Sequence, residues 1–164
     1  MTSTVIVAVL CALALAGAGG LMTEVGDWYR ALRKPTWQPP DWAFGPAWTL
    51  ILGMAAGAGV LAWQGAPNGP ARATVASLFA ANALLHFLWS PLFFKLRRPD
   101  WALVEVVFLW LSVLALAIGL RPYSETASWL IAPYLAWVTF AAAINLAIVR
   151  LNGPFRAAAR RPAI

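Results

Sequence analysis

Five apolar runs, each close to the length that crosses a bilayer, constrain this chain more than any other feature. They lie at about residues 5–25, 42–64, 71–94, 101–120 and 128–149. A helix rising about 1.5 Å per residue needs roughly 20 apolar residues to cross the hydrocarbon core. Because lipid satisfies no backbone hydrogen bonds, such runs form helices rather than open strands. The sequence therefore predicts an all-α membrane protein, a five-helix transmembrane bundle that forms a single domain over residues 1–164.

The composition excludes most other classes of protein. Hydrophobic residues make up 62% of the chain and charged residues 11%, whereas a soluble domain is about 25% charged. The basic residues lie in short breaks between apolar runs, so we expect the lipid bilayer as a partner and no nucleic acid. One histidine, one cysteine and no phosphate-binding glycine loop predict no protein metal site and no required cofactor.

The basic residues also predict an orientation. Of the 12 Lys and Arg residues, Arg72 and Arg121 lie on the face of the N-terminus, and the others lie on the opposite face. The positive-inside rule then places the N-terminus outside and the C-terminus in the cytoplasm. A cleaved signal peptide is the alternative for the first run, but that run is long and no Lys or Arg precedes it.

The loop between the first two runs, residues 27–41, is too aromatic and too rich in proline for a passive turn. Its apolar area must be buried, and the nearest place is the membrane end of the bundle. We therefore predict that it forms a lid, called the lid loop below. An aromatic belt at the headgroup level is the alternative, which explains Trp28 better than Trp37 or the Pro39–Pro40 pair.

Four polar or aromatic residues from four runs share one depth. Trp48, His86, Glu105 and Asn145 fall within roughly 6–12 Å of the cytoplasmic boundary at the helical rise. This layer lies beneath the lid loop, so the sequence predicts a covered cavity there.

His86 and Glu105 each leave alternatives open, because an ionisable residue inside a membrane is a candidate functional site by default. His86 could hydrogen-bond a ligand, sense pH, or ligate haem iron, the last being disfavoured. It could instead hydrogen-bond Asn145 or Glu105 within the bundle. Glu105 could contact a ligand or carry a proton, or it could reach Arg97 or Arg98 or cap its helix.

Several motifs resemble the translocator protein family, also called the TspO or tryptophan-rich sensory protein family. The longest is W-Y-x-x-L-x-K-P-x-W-x-P-P-x-W-x-x-G-P-x-W over residues 28–48. Others are W-x-P-x-F-F at 89–94, W-A-L-V-E at 101–105 and P-Y-L-A-W at 133–137. The resemblance runs in one order from about residue 14 to 152.

The resemblance implies a bacterial member in the inner membrane, a homodimer, and a pocket for protoporphyrin IX, haem or other hydrophobic ligands. It implies a receptor or carrier with a sensory role. Two alternatives stay open: a slow photo-oxidative enzyme that degrades porphyrin through Trp48 and Trp137, and a proton-coupled exporter that uses Glu105. Leu146 stands where animal relatives have a sterol-linked tyrosine, so sterol binding is doubtful. His86 also departs from the family, which usually has asparagine there.

The predicted ligand-binding residues comprise lid-loop residues, stacking candidates, polar anchors and apolar walls carried over by position from the family. They are Tyr29, Trp37, Pro39, Pro40, Trp48, Trp89, Trp101, Tyr134, Trp137, His86, Glu105, Asn145, Ala18, Leu21, Phe44, Val104, Phe108, Ala141 and Ile144.

Overall fold

The computed structural model describes residues 2–155 and confirms the five long helices. Among these residues it contains helices and no strand. The long helices are α1 (Thr2–Met22), α3 (Phe44–Gly65), α4 (Gly69–Ser90), α5 (Pro99–Gly119) and α6 (Glu125–Asn152), and α2 (Asp27–Ala31) is a short helix in the lid loop. Five helical segments are long and apolar enough to cross a membrane.

The helix ends agree with the predicted spans to within a few residues, and local capping explains where two of them begin. The Asn68 side chain accepts a hydrogen bond from the Ala71 N–H at 3.0 Å, and Pro70 occupies the first turn of α4. Ser124 Oγ accepts from the Ala127 N–H at 3.2 Å at the start of α6. Such caps satisfy N–H groups that have no partner inside the helix.

The helices form a ring in which α1 packs on α3, α3 on α6, α6 on α5 and α5 on α4, and a smaller contact between α4 and α1 closes it. Val113, Leu116 and Ile131 are completely buried at its centre. Ala58 and Ala62 of α3 are buried as well, because small residues let neighbouring helices approach closely.

The orientation across the membrane stays a prediction, since no membrane is present in the structure. The lid loop and residues 96–98 lie at one end of the bundle, and residues 66–68 and 120–124 lie at the other. Three of the basic residues on which the orientation rests, Arg156, Arg160 and Arg161, lie outside the described residues.

Gly65 sits where two chain segments meet at the end away from the lid loop. A Cβ atom at this position would lie 2.0 Å from the backbone carbonyl oxygen of Tyr123. A backbone atom cannot yield as the end of a flexible side chain can, so only glycine fits there without a shift.

We predict that Gly65→Ala destabilises the bundle by about 1–3 kcal/mol, the usual cost of overpacking. The measurement is denaturation of the purified protein in detergent. Gly53→Ala is the matched control, because nothing lies within 4 Å of a Cβ there. Equal stability of the two variants would contradict this packing.

Candidate functional site

Aromatic rings from three helices meet below the lid loop, in what we call the aromatic layer: Trp48, His86, Trp89, Tyr134 and Trp137. The Trp48 ring centroid lies 4.7 Å from that of His86, 6.0 Å from Tyr134 and 6.1 Å from Trp137. All three contacts are edge to face, a favoured geometry for aromatic pairs. The structure thus brings together the stacking candidates Trp48, Tyr134 and Trp137 with His86 of α4, whereas Trp89 of α4 packs on Phe93 and Phe94.

The aromatic layer is closed in this conformation, because its rings touch. Trp89 stacks on Phe93 with centroids 4.9 Å apart, and Phe44 packs against Trp137 at 5.8 Å. These separations are van der Waals contacts, so no macrocycle lies between the paired rings. The covered hollow that the sequence predicts is therefore filled here by aromatic side chains.

A chain of hydrogen bonds links α4, α5 and α6 at this level. His86 Nδ1 lies 3.1 Å from Tyr134 Oη, and Tyr134 donates to Asn82 Oδ1 at 3.3 Å. Asn82 Nδ2 donates to Ser112 Oγ at 2.9 Å, and Ser112 donates to the Leu109 carbonyl at 2.7 Å. The predicted internal partners of His86, Asn145 and Glu105, are wrong, because Tyr134 takes that place.

Glu105 is buried on the inner face of α5 with 6% of its surface exposed. Over the described residues, neither of its carboxyl oxygens has a hydrogen-bond partner. The interpretation that it reaches Arg98 is wrong, because Arg98 pairs with Asp100 and lies over the Trp101 ring at 4.2 Å. Arg97 lies 5.9 Å from the ring of Trp28 instead.

Two indole nitrogens, like the carboxyl oxygens of Glu105, lack a hydrogen-bond partner among the described residues. Within residues 2–155, Nε1 of Trp89 and Nε1 of Trp137 are buried without a hydrogen-bond partner. A buried polar group without a partner costs about 1–3 kcal/mol, so natural proteins keep few of them. The layer therefore holds two donors and a carboxyl group whose hydrogen bonding is incomplete.

Asn145 has a different environment from Glu105. With its amide turned so that both ends are satisfied, its nitrogen donates to the Pro99 carbonyl at 3.2 Å and its oxygen accepts from Leu103 N–H at 2.9 Å. Its polar atoms are therefore engaged with the first turns of α5. This contact fixes α5 against α6 between the layer and the lid-loop end of the bundle.

The lid loop lies on the bundle, as its aromatic composition predicts. Tyr29 is buried against Phe93 and Phe94, with ring centroids 6.4 and 5.5 Å away. Trp37 contacts Phe140 of α6 at 5.8 Å, although half of its surface remains exposed.

Polar contacts around Tyr29 hold the lid loop in one conformation. Tyr29 Oη donates to Asp41 Oδ1 at 2.9 Å, and Gln38 Nε2 donates to Tyr29 Oη at 3.2 Å. The Lys34 ammonium lies 3.6 Å from the Tyr29 ring centroid and 3.6 Å from Asp41. Burial, and then the Asp41 carboxylate, raise the pKa of Tyr29 from 10.0 to about 12. The protonated hydroxyl thus stabilises the loop fully below pH 10, and this contribution is lost as the pH rises toward 12.

Asn152 joins the lid loop to the end of α6. Its Oδ1 accepts from Arg33 N–H and its Nδ2 donates to the Arg33 carbonyl, both at 2.8 Å. One side chain therefore pairs with both backbone polar groups of a single loop residue.

Four predicted ligand-binding residues, the stacking candidate Trp101 and three wall residues, are largely exposed. Trp101, Val104 and Phe108 of α5 are 50%, 62% and 56% exposed, and Leu21 of α1 is 80% exposed. The buried face of α5 carries Ala102, Glu105, Val106 and Leu109, and the three exposed α5 side chains lie on another side of the helix. Of the remaining predicted residues, Ile144 is buried, Ala18, Pro39 and Ala141 are partly exposed, and Pro40 is exposed.

Two open clefts lie outside the aromatic layer. One of about 490 Å³ lies beside the lid loop and is lined by Trp28, Tyr29, Phe94, Arg97 and nearby acidic residues. The other, about 380 Å³, is an apolar groove between α1 and α3.

Ser112 is a member of the hydrogen-bond chain that the sequence analysis did not predict. The one feature of the sequence that could have indicated Ser112 is that it is a polar residue within a long apolar run.

Comparison with known proteins identifies the class of protein to which this chain belongs. The profile of the TspO/MBR family matches residues 6–151, which span all five long helices. The chain belongs to the TspO/MBR family and is a multi-pass membrane protein.

The sequence similarity to individual relatives covers most of the length of each relative. The tryptophan-rich protein TspO of Archaeoglobus fulgidus is 38% identical over 149 residues, 90% of this chain and 95% of that protein. Protein CrtK of Rhodobacter capsulatus is 35% identical over 153 residues, 93% of this chain and 95% of that protein. The human translocator protein is 34% identical over 137 residues, 82% of this chain and 80% of that protein.

We predict that Asn152→Ala loosens the lid loop. Losing two hydrogen bonds of about 1 kcal/mol each raises the open population roughly thirtyfold, and proteolysis follows that population when opening is fast. The rate of trypsin cleavage after the exposed residues Arg30 and Arg33 measures this open population.

The matched control is Asn68→Ala, which removes a helix cap at the other end of the bundle. Cleavage at the control's wild-type rate, together with fast cleavage of Asn152→Ala, is the expected pattern. If both variants are cleaved as slowly as the wild type, Asn152 does not hold the loop.

Proposed function

We propose that this protein is a membrane receptor or carrier that binds tetrapyrroles, such as protoporphyrin IX or haem, and related hydrophobic molecules. The ligand enters the aromatic layer beneath the lid loop. The observation that carries the proposal is a set of buried polar groups without hydrogen-bond partners among the described residues. These are the indole nitrogens of Trp89 and Trp137 in the aromatic layer and the carboxyl oxygens of Glu105 on α5.

The chemistry of a tetrapyrrole matches these groups. Its macrocycle offers two broad π faces to the aromatic side chains. Its propionate carboxylates accept hydrogen bonds, which the indole N–H groups of Trp89 and Trp137 are able to donate. A site with apolar walls and a few polar anchors is the usual form of a small-molecule pocket.

Entry of the ligand requires two movements. Trp48 must separate from Trp137 and His86, because their rings touch in the closed layer. The lid loop must release Trp37 from Phe140 or swing as a unit about its contacts with α6. The proposed site therefore binds by opening.

The cellular setting is part of the proposal. The positive-inside pattern supports an inner-membrane protein with its lid loop in the cytoplasm. A relative from Cereibacter sphaeroides, 35% identical over 133 residues, is named a tryptophan-rich sensory protein, which supports a sensory role. We also propose a homodimer.

We predict saturable quenching of tryptophan fluorescence by protoporphyrin IX and by haem in the purified protein. Trp48→Phe shrinks the stacking surface, so its dissociation constants rise about threefold to tenfold, the worth of an aromatic contact. Cholesterol, added as a competitor, leaves binding unchanged.

Trp129→Phe is the matched control, because Trp129 is 71% exposed on α6, outside the aromatic layer. It should bind like the wild type. Absence of saturable quenching by both tetrapyrroles would refute the proposed function, and equal weakening in the two variants would refute the site.

A further inference from the structure

The cleft of about 490 Å³ beside the lid loop contains no residue of the aromatic layer and has no part in the proposed function. It is lined by three charged residues, Glu24, Asp27 and Arg97, and by the rings of Trp28, Tyr29 and Phe94. Its volume falls within the usual range of small-molecule sites, about 300–1,000 Å³. Because both signs of charge line it, the cleft suits a ligand that carries charged groups.

The cleft lies at the depth of lipid headgroups. Two membrane spans end beside it, one at Met22 and the other at Lys95. The three charged residues that line the cleft all lie shortly after these two ends in the sequence. The headgroup region adds roughly 5–7 Å to each side of the hydrocarbon core. A phospholipid beside the bundle therefore brings its charged headgroup to the level of the cleft.

Arg97 supplies the positive charge of the cleft. Among residues 2–155 it is the only non-glycine residue with a positive φ, at 53°, a backbone conformation that most side chains adopt at a cost. Its guanidinium lies 5.9 Å from the ring centroid of Trp28. Over the described residues it forms no salt bridge with a carboxylate. A guanidinium pairs well with phosphate oxygens, so Arg97 is able to bind a phosphate group.

Asp27 supplies the negative charge. Its side chain is fully exposed, and its salt bridge to the exposed Arg30 spans 3.8 Å, so solvent screens that pair. Glu24, the second carboxylate of the cleft, pairs with Lys95. With this second pair set aside, the cleft presents one carboxylate and one guanidinium. This pattern is complementary to a zwitterion that carries one ammonium and one phosphate.

The aromatic rings of the cleft favour a primary ammonium over a quaternary one. A quaternary ammonium is recognised by the faces of several aromatic rings. Here Arg97 lies over the Trp28 ring, and the Lys34 ammonium lies 3.6 Å from the Tyr29 ring centroid. The Asp27 carboxylate remains for the ligand, and it accepts hydrogen bonds that a primary ammonium donates and a quaternary ammonium lacks.

We propose that this cleft binds the headgroup of a phosphatidylethanolamine lipid, with its phosphate on Arg97 and its ammonium on Asp27. The acyl chains of the lipid stay in the bilayer. The bound headgroup would contact the first residues of the lid loop, so the lipid would stabilise that end of the loop. The lipid site is separate from the aromatic layer and does not rest on the proposed function.

Native mass spectrometry of the full-length protein in detergent tests the lipid preference. The protein is titrated with phosphatidylethanolamine, phosphatidylcholine and phosphatidylglycerol that carry identical acyl chains, and their apparent dissociation constants are compared. We expect phosphatidylethanolamine to bind about threefold or more tightly than either of the others, the size expected of exposed charge contacts. Equal binding of the three lipids, or tightest binding of phosphatidylglycerol, would overturn the proposal.

Substitutions locate the bound headgroup. Arg97→Asn removes the guanidinium but keeps a residue that tolerates the left-handed backbone, and it should weaken phosphatidylethanolamine about threefold to fivefold. Asp27→Asn should abolish the preference for phosphatidylethanolamine over phosphatidylcholine, and Asp27→Glu should restore it. Arg121→Asn, at the other end of the bundle, is the matched control and should bind like the wild type. Circular dichroism checks that each variant is folded.

Soluble phosphoethanolamine distinguishes a lipid from a free metabolite with the same charged groups. Because it has no acyl chains, we expect it to bind much more weakly than the lipid. Binding as tight as that of the lipid would assign the cleft to the metabolite and overturn the lipid site. Wild-type affinity and preference in folded Arg97→Asn and Asp27→Asn would also overturn the proposal.

Discussion

The lack of water in the hydrocarbon core governs this structure, because every polar group there must find its partner inside the protein. The backbone meets the demand by forming helices. The chain of Ser112, Asn82, Tyr134 and His86 meets it for side chains, and it ties three helices together. Over residues 2–155, Glu105 and two indoles of the aromatic layer are buried without such partners. This is a cost that the ligand of the proposed function would offset.

The lid loop belongs to the same unit as the layer. Tyr29 anchors it on Phe93 and Phe94, next to the stacked ring of Trp89, and Asn152 fixes it to α6, which also carries Tyr134 and Trp137. Separating the rings of the aromatic layer would therefore also change the contacts of the lid loop. Under the proposed function, a ligand bound below would change what the lid-loop end of the protein presents, which would be the physical basis for the proposed sensory role.

The sequence predicted the five helices because the length of an apolar run is enough to define a membrane span. It also predicted the lid contact, since exposed tryptophans must be covered. It did not predict the rotation of α5 about its axis, which leaves Val104 and Phe108 outside the layer. In a membrane the lipid-facing and core-facing sides of a helix are both apolar, so hydropathy does not distinguish them. The contact between His86 and Tyr134 depends on the depth of Tyr134, and the burial of Glu105 without a partner among the described residues depends on the rotation of α5. Hydropathy does not reveal either feature.

A structure of the full-length protein bound to protoporphyrin IX tests the central claim most directly. The account predicts a macrocycle between α3 and α6, with the Trp48 and Trp137 centroids farther apart than the present 6.1 Å and an indole N–H of Trp89 or Trp137 on a propionate. A macrocycle in the apolar groove between α1 and α3, with the rings of the aromatic layer still in contact, would contradict it.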